Sequence, residues 1–458
     1  MTENDRYPGR ACDRCHASKE RCRWVADSTS CERCSRLQHV CRNDRPAKKA
    51  GRRPRDLPQP ERRALEVSNK ISACGNVSVF ELQLLERAFT DEIIEEFVVG
   101  PSFCKSHRQL LISQIVSSAD SLGNAFLACS LSWASDTEGS ALDTAQVNAC
   151  YRRASSALAT LRSLDISNTE QMSHCITLGC LILTFTLKLR IYDMVTICSQ
   201  TLNLIKPVYD LQRDPNPDEV ALVSTLIVTE LVECLLECKM PTLRYRTPLS
   251  AEYVDRYVGL SYSLLPHLHD ICALSLALSR NNPCDSIEMQ NALNSIESTV
   301  AKWQPSVPVV FSKHYQAGEV ALMLCQVQVL RTAGLLILYR LRHPFGSNNA
   351  AAQFMSLSIL TQLETTFKVT GKSIKCTEMA LAIIVACFEL QEEERKYWLK
   401  KIWTLVGYST QFKEYVESIV SSLWTSMDTA KNIFWYNMHK YTGKGSYKLS
   451  SEDMSDRI

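Results

Sequence analysis

The chain has 458 residues, of which 45% are hydrophobic and 22% charged. This is an ordinary composition for a soluble globular protein, and the length is enough for about two to four domains. The formal net charge is +2, but residues 1–63 hold 17 Lys and Arg against 9 Asp and Glu, a net +8, whereas the remaining 395 residues hold 34 against 40, a net −6. The composition excludes a disordered or fibrous chain, and the charge asymmetry is typical of a small nucleic-acid-binding module joined to a larger body.

The first predicted element is a cysteine pattern that occurs twice. C-x2-C-x6-C is followed by eight residues and then by C-x2-C-x6-C again, and the members of the two copies are Cys12, Cys15, Cys22, Cys31, Cys34 and Cys41. Cysteine thiolates at such short spacings are typical zinc ligands, and zinc usually takes four of them in a tetrahedral arrangement. The sequence therefore predicts a zinc-binding domain over residues 12–41.

Counting ligands favours two zinc ions in this domain. One tetrahedral ion would leave two cysteines unused, whereas two ions need eight ligand positions, which six sulfurs supply only if two of them bridge both metals. The repeat points to the leading cysteine of each half, Cys12 and Cys31. One ion would then be bound by Cys12, Cys15, Cys22 and Cys31, and the other by Cys31, Cys34, Cys41 and Cys12.

Two other interpretations of the six cysteines stay open. A disulfide framework would need an oxidising compartment, but the polar start of the chain does not resemble a signal peptide. A RING-like or ribbon-like protein-binding module usually needs eight cysteine or histidine ligands, and His16 and His39 are the only extra candidates in the segment.

The cysteine spacing resembles that of the fungal binuclear zinc cluster transcription factors over the whole of residues 12–41. The resemblance implies a nuclear, sequence-specific regulator of RNA polymerase II genes that holds two zinc ions. It also implies binding in the major groove of double-stranded DNA, at CGG- or TCG-type half-sites. The phrase from Ala17 to Cys22 further resembles that of regulators of secondary-metabolite gene clusters.

The same resemblance assigns the DNA-contacting residues. In this family the basic segment between the second and third cysteines faces the major groove, and Lys19 occupies the position of the base-contacting lysine. Guanine O6 and N7 are adjacent acceptors that a lysine can reach. Arg21 and Arg23 match phosphate-contacting positions, and Arg14 matches one more weakly.

Three positions depart from the family pattern. His16 stands where an arginine is usual, Glu20 puts a negative charge between two cations, and Thr29 replaces a proline of the inter-half loop. These departures leave the base triplet and the affinity open.

Residues 42–63 are predicted to form a basic linker, because four prolines oppose regular structure there. Its central cations are Lys48, Lys49, Arg52, Arg53 and Arg55. We expect these side chains to contact DNA phosphates. A nuclear import signal and an imperfect AT-hook at residues 51–54 are the alternatives.

Residues 64–458 are predicted to form an all-α body, since apolar residues recur at helical spacing and alternating strand patterns are scarce. The candidate helices cover residues 140–163, 168–187, 190–207, 217–238, 250–280, 286–303, 314–343, 351–369, 376–405 and 409–440. The body resembles the large helical regulatory domain that often follows the zinc cluster, on loose motifs such as the hairpin at residues 172–209 and the helix at residues 319–339.

No segment of the body is predicted to span a membrane, because the longest apolar runs are shorter than about 20 residues or are interrupted by charges. In residues 221–238, Glu230, Glu233 and Glu237 share one helical face, so that helix is expected to have one solvated edge. A heptad-like run begins at Val67 and Ile71 but covers fewer than two heptads, so no coiled coil is predicted and monomer and homodimer both stay open.

The helical body is expected to regulate by contacting transcription co-regulators, and an enzyme is not expected because no catalytic motif is present. The fourteen cysteines outside the repeat are expected to be free buried thiols in a reducing compartment. The alternative function is a body that senses an apolar small molecule, which would require an apolar cavity lined by a few polar groups.

Overall fold

The computed structural model describes residues 11–24, 28–44, 67, 69–71, 77–134, 143–189, 194–212, 216–248, 250, 252–281, 286–371, 379–405, 410–430 and 432–442. The chain divides into two units, Met1–Glu61 and Arg62–Ile458, which we consider one at a time. The described residues form helices and no β-strand, so the predicted all-α class is confirmed. The predicted boundaries of the three segments, at residues 12–41, 42–63 and 64–458, stay predictions.

The first unit contains two short helices, α1 (Asp13–Ala17) and α2 (Glu32–Arg36). The second unit contains the remaining α-helices. In chain order they are α3 (Val79–Ala88), α4 (Asp91–Glu95), α5 (Cys104–Ser117), α6 (Ala119–Ala134), α7 (Thr144–Ser163), α8 (Thr169–Leu189), α9 (Met194–Leu211), α10 (Pro217–Glu237), α11 (Leu265–Asn281), α12 (Ile287–Lys302), α13 (Phe311–His314), α14 (Ala317–Arg342), α15 (Asn349–Thr370), α16 (Ala380–Phe388), α17 (Glu392–Leu405) and α18 (Thr410–Thr429).

The helices of the body pack mainly on their neighbours in sequence. Helix α6 contacts α3, α7 and α8, while α8 also contacts α9 and α10. Farther along the chain, α14 packs on α15 and α16. All nine residues of α16 are buried, so this helix lies at the centre of the later group.

Helix α14 is long and apolar enough to cross a membrane by length and composition alone. However, 61% of its most apolar 18-residue window is buried inside the protein, and α15 and α16 cover it. It also contains Arg340, which is completely buried. Helix α14 is therefore a core helix of the body.

The predicted helix over residues 250–280 is shorter than expected. The Asp255 carboxylate accepts hydrogen bonds from the backbone N–H groups of Tyr257 and Val258 at 2.8 and 3.0 Å. Gly259 then turns the chain with a φ of +55°. Because an aspartate offers the backbone these alternative partners, regular α-helix begins only at Leu265, after a 3₁₀ turn over Leu260–Leu264.

The predicted helix over residues 376–405 is two helices, because α16 ends at Phe388 and α17 starts at Glu392. Glu389, in the break, binds the buried guanidinium of Arg340 through two hydrogen bonds of 2.6 Å. Arg340 Nη1 also donates to the carbonyl oxygens of Pro344 and Ser347, both at 2.8 Å. This ion pair thus joins α14, the turn after it and the α16–α17 break.

The expected solvated edge of α10 is wrong at Glu230, which is 1% exposed. Its carboxylate accepts hydrogen bonds from the Ser199 hydroxyl at 2.6 Å, from the Thr242 backbone N–H at 2.8 Å and from the Thr242 hydroxyl. A buried carboxylate is tolerated when its lone pairs are satisfied in this way. The charge of the glutamate side chain therefore predicted solvent exposure wrongly at Glu230.

The last described element ties the end of the body to its middle. The 3₁₀ helix Trp435–Lys440 begins with Trp435, which is 1% exposed and donates from its indole N–H to the Leu235 carbonyl at 2.9 Å. Near the start of the body, Val67 and Ile71 are buried in the same core. The apolar residues that begin the heptad-like run therefore pack in the core of the body.

Candidate functional site

Each half of the cysteine repeat starts a short helix with its leading cysteine. Cys12 is the N-terminal cap of α1 and Cys31 that of α2, and their sulfurs accept hydrogen bonds from the backbone N–H groups of Cys15 and Cys34, both at 3.4 Å. A capping side chain satisfies a backbone donor that a helix start leaves unpaired. The C-x2-C spacing thus orients two sulfurs on one turn.

The structure brings all six sulfurs of the repeat together. They form two groups of four, within each of which the sulfurs lie within 4.8 Å of one another: Cys12, Cys15, Cys22 and Cys31, and Cys12, Cys31, Cys34 and Cys41. The Sγ–Sγ distance is 3.8 Å for Cys12–Cys31 and 3.7 Å for both Cys12–Cys34 and Cys15–Cys31. Tetrahedral zinc with four thiolates at about 2.3 Å would separate its sulfurs by about 3.8 Å.

The chemistry of this donor set fits zinc better than a disulfide. All the described cysteines are free, and sulfur separations near 3.7 Å are far from the roughly 2.05 Å of a disulfide bond. The two histidines that a RING-like module would need, His16 and His39, belong to neither sulfur group. The cysteines can therefore hold a metal ion without a histidine ligand.

The two shared cysteines differ electrostatically from the others. Burial opposes ionisation of Cys31, but hydrogen bonds from the Cys34 backbone N–H and from neighbouring thiols lower the pKa of Cys31 to about 6. The pKa of Cys12 is lowered in the same way against burial, by hydrogen bonds from Cys15 and Cys34. Burial instead raises the pKa of Cys22 to about 12. Negative charge is thus favoured on the two sulfurs common to both groups.

The two halves of the unit repeat each other at a spacing of 19 residues. The backbone N–H of Asp13 donates to the Arg42 carbonyl, and that of Glu32 donates to the Arg23 carbonyl, both at 2.9 Å. Each helix is followed by a residue with positive φ, Lys19 at 54° and Gln38 at 50°. Both residues lie two positions after the last residue of their helix, Ala17 in α1 and Arg36 in α2. The first half therefore presents a lysine where the second half presents a neutral amide on the same backbone.

The predicted DNA-contacting residues of the first half are all exposed, and they are Arg14, Lys19, Arg21 and Arg23. Glu20 is also exposed, and its carboxylate lies 3.7 Å from the Arg33 guanidinium of the other half. Arg33 further donates to the Ser18 hydroxyl at 2.8 Å. The predicted arm residues Lys48, Lys49, Arg52, Arg53 and Arg55 lie outside the described residues.

Arg33 is a residue that the sequence analysis did not single out. It is the repeat partner of Arg14, so the 19-residue periodicity could have drawn attention to it. In the structure it joins the two halves through Ser18 and Glu20.

A second candidate site lies in the helical body, where a cavity of about 120 Å³ opens among α3–α6, α8 and α10. Its lining is mainly apolar, with the aromatic side chains Phe89, Phe97, Phe126 and Trp133. Its polar lining includes His107 and Tyr257, which hydrogen-bond to each other at 3.2 Å. Burial, helped by the charge of Arg256, lowers the pKa of His107 to about 3, so this imidazole is neutral near pH 7.

The helical body is similar to a known protein family. A family model described as the fungal specific transcription factor domain matches residues 83–450, which is most of the helical body. No curated protein and no solved structure matches the chain.

Proposed function

Because the chain belongs to the family of the fungal specific transcription factor domain, we propose that it is a zinc-dependent, sequence-specific DNA-binding transcription regulator of the nucleus. The cysteine unit would hold the metal and read DNA, and the helical body would carry regulation by contacting co-regulators. The observation that carries the proposal is the pair of four-sulfur groups that share Cys12 and Cys31.

Two zinc ions would fit this arrangement, because each group supplies four sulfurs and the thiolates of Cys12 and Cys31 would serve as ligands in both groups. Zinc would cross-link the short helices of a segment whose buried residues are mainly its own cysteines, so metal binding would provide much of its folding energy. When bound, the ions contribute structure rather than catalysis.

Base reading by the first half is supported by the charge difference between the two halves. Lys19 and Arg21 occur in the first half where the second half has Gln38 and Val40, and all four are exposed. Lys19 and Arg21 can each offer a charged donor to guanine in the major groove, whereas Gln38 is uncharged and Val40 has no side-chain donor. The CGG- or TCG-type half-site, the control of a secondary-metabolite cluster and the nuclear location belong to the proposal.

The basic arm extends the proposed DNA contact. Its five cations at positions 48–55 would neutralise phosphates, so their replacement by alanine should weaken binding to all sequences equally and flatten the salt dependence by about 0.9 in log–log slope per lost contact. Loss of nuclear accumulation alone would instead identify an import signal.

The metal assignment is tested on the full-length chain by native mass spectrometry. The wild type should carry two zinc ions per chain. Cys12→Ser and Cys31→Ser should each lose more zinc and more DNA binding than Cys15→Ser, because each removes a ligand from both groups. Cys175→Ser, in the buried core of the body, is the control and should keep both ions. One zinc ion in the active wild-type protein would contradict the bridged centre.

A second role for the body, the sensing of an apolar small molecule, is favoured by the cavity among α3–α6, α8 and α10. Ligand sites are typically apolar clefts with a few polar groups. Such a ligand would regulate the proposed DNA-binding activity of the cysteine unit.

A further inference from the structure

The polar groups that line the cavity differ in whether their hydrogen bonds are already satisfied. Three hydroxyls donate to carbonyl oxygens of their own helices: Ser130 to Phe126, Thr177 to Ser173 and Thr184 to Cys180, at 2.8–2.9 Å. His107 and Tyr257 bind each other. These groups therefore need no ligand.

Thr225 on α10 differs from these five groups. Its hydroxyl is buried, it lines the cavity, and it has no hydrogen-bond partner among the described residues. A buried hydroxyl left unpaired destabilises the fold, and threonines in helices can avoid this cost by donating to the carbonyl four residues earlier. Thr225 is thus a polar group in an apolar cavity that is ready for a partner.

We propose that the cavity binds an uncharged, single-ring aromatic molecule whose hydroxyl or carbonyl oxygen hydrogen-bonds to Thr225. The proposal rests on the second role given to the body and is independent of DNA binding.

The size of the cavity sets the ligand's size. An engineered protein cavity of about 150 Å³ with an aliphatic and aromatic lining binds benzene, so about 120 Å³ suits one ring with a small substituent. The rings of Phe97 and Trp133, with centroids 4.9 Å apart in an edge-on arrangement, provide faces and edges against which an aromatic ring packs well.

The lining also sets the ligand's charge. A carboxylate would need a buried positive charge, and the neutral His107 does not supply one. Glu96, a half-buried acidic residue of the lining, would repel a carboxylate as well. The half-buried Ile93, Phe97 and Leu187 are apolar, so an anion is disfavoured and a neutral ring suits the cavity.

The test uses phenol, benzene and benzoate with the full-length chain at pH 7 in the absence of DNA, measured by saturation-transfer NMR and by thermal unfolding. Phenol should bind saturably with a dissociation constant of about 1 mM or below, in keeping with the free energy available to so few atoms. It should bind at least about threefold more tightly than benzene, and benzoate should not bind.

Two matched pairs of variants locate the binding. Thr225→Val removes the unpartnered hydroxyl with little change of shape and should weaken phenol binding about three- to tenfold without affecting benzene. Thr184→Val removes a hydroxyl that already donates within its helix and should leave phenol binding unchanged. Ser130→Leu should fill the cavity and abolish binding of both probes, whereas Ser130→Ala should retain it.

The proposal is overturned if neither phenol nor benzene binds the folded wild type, or if Ser130→Leu folds and still binds them. It is also overturned if Thr225→Val leaves phenol binding unchanged. Because no DNA is present, each of these results leaves the proposed DNA-binding function untouched.

Discussion

At the scale of single residues, the cysteine unit contains its own control for DNA reading. Lys19 and Gln38 have the same positive-φ backbone at the ends of equivalent helices, and both are exposed. They differ in charge and in hydrogen-bonding chemistry. A substitution at each position therefore tests side-chain chemistry with the local backbone held constant.

Lys19→Ala should cost about 1–3 kcal/mol on the selected DNA site, the usual value of a good base contact. Binding to a scrambled duplex should fall far less, since Arg14, Arg21 and Arg23 still meet phosphates. Gln38→Ala should change the affinity for either duplex only slightly. Titrations against both duplexes at fixed salt measure this, and equal weakening on both by Lys19→Ala would reduce Lys19 to a phosphate contact.

Gln326 of α14 should be replaceable with a gain in stability. It is completely buried, and neither its amide oxygen nor its amide nitrogen has a partner among the described residues. Gln326→Met keeps the length of the side chain and removes the desolvated polar atoms, so the free energy of unfolding should rise by about 1–3 kcal/mol. Urea denaturation measures it. A loss of stability would indicate that the amide is satisfied by a buried water.

His107 should make the body less stable in mild acid. Its pKa is about 3 in the folded protein and about 6.5 in an unfolded chain, so only the unfolded state gains a proton between these values. The free energy of unfolding should be unaffected above about pH 6.5 and should fall by up to about 1.4 kcal/mol per pH unit below it.

His107→Gln should remove that component, so urea denaturation at pH 7 to 4.5 should show the variant losing less stability than wild type. His314→Gln, at an exposed position, should follow the wild-type curve. Parallel curves for wild type and His107→Gln would contradict the assignment.

At the scale of secondary structure, long apolar periodicity predicted most helices closely, while side-chain hydrogen bonds set the breaks. The prediction at residues 286–303 corresponds to α12, Ile287–Lys302, because the helix is amphipathic along its whole length. The break at Asp255 is local, since its carboxylate binds backbone N–H groups two and three residues later, and apolar periodicity alone does not reveal it. The break at Glu389 could not be predicted, since its carboxylate binds Arg340, 49 residues earlier in the chain. The same applies to Glu230, whose buried partners come from α9 and the segment after α10.

Arg340→Met should destabilise the body by about 3–5 kcal/mol, because it leaves the buried Glu389 carboxylate without its counter-charge. Arg342→Met is the matched control on the same helix. Its partner Glu297 is 45% exposed, so the loss there should be below about 1 kcal/mol. Chemical denaturation compares the two. Equal losses would show that burial does not set the strength of these ion pairs.

At the scale of the whole molecule, two differently stabilised units are joined in one chain. Within residues 11–24 and 28–44, the first unit buries four of its own cysteines and little else, whereas the body has an extensive apolar core of its own. The cysteine spacing predicted the first site down to its sulfur groups because metal ligands must obey fixed geometry. The cavity could not be predicted, because its lining residues come from six helices. The first and the last of these helices, α3 and α10, lie more than a hundred residues apart in the chain.

Removing zinc with a chelator should therefore abolish DNA binding and leave the body folded. Far-UV circular dichroism should keep nearly all of its helical signal, and the thermal transition of the body should stay in place, because no sulfur group among the described residues lies in the body. Adding zinc back should restore DNA binding. Collapse of the helical signal on chelation would contradict the independence of the two units.

Trp435 has a consequence for how the protein is made. Its indole N–H binds the carbonyl of Leu235, 200 residues earlier, and Trp424 likewise donates to the Cys387 carbonyl at the end of the fully buried α16. During synthesis, the middle of the body cannot complete its packing until Trp424 and Trp435, which lie near the end of the described residues, have been made. A messenger with a premature stop codon before Trp435 should thus yield a chain with exposed core helices that quality control degrades, so that truncated alleles behave as null alleles.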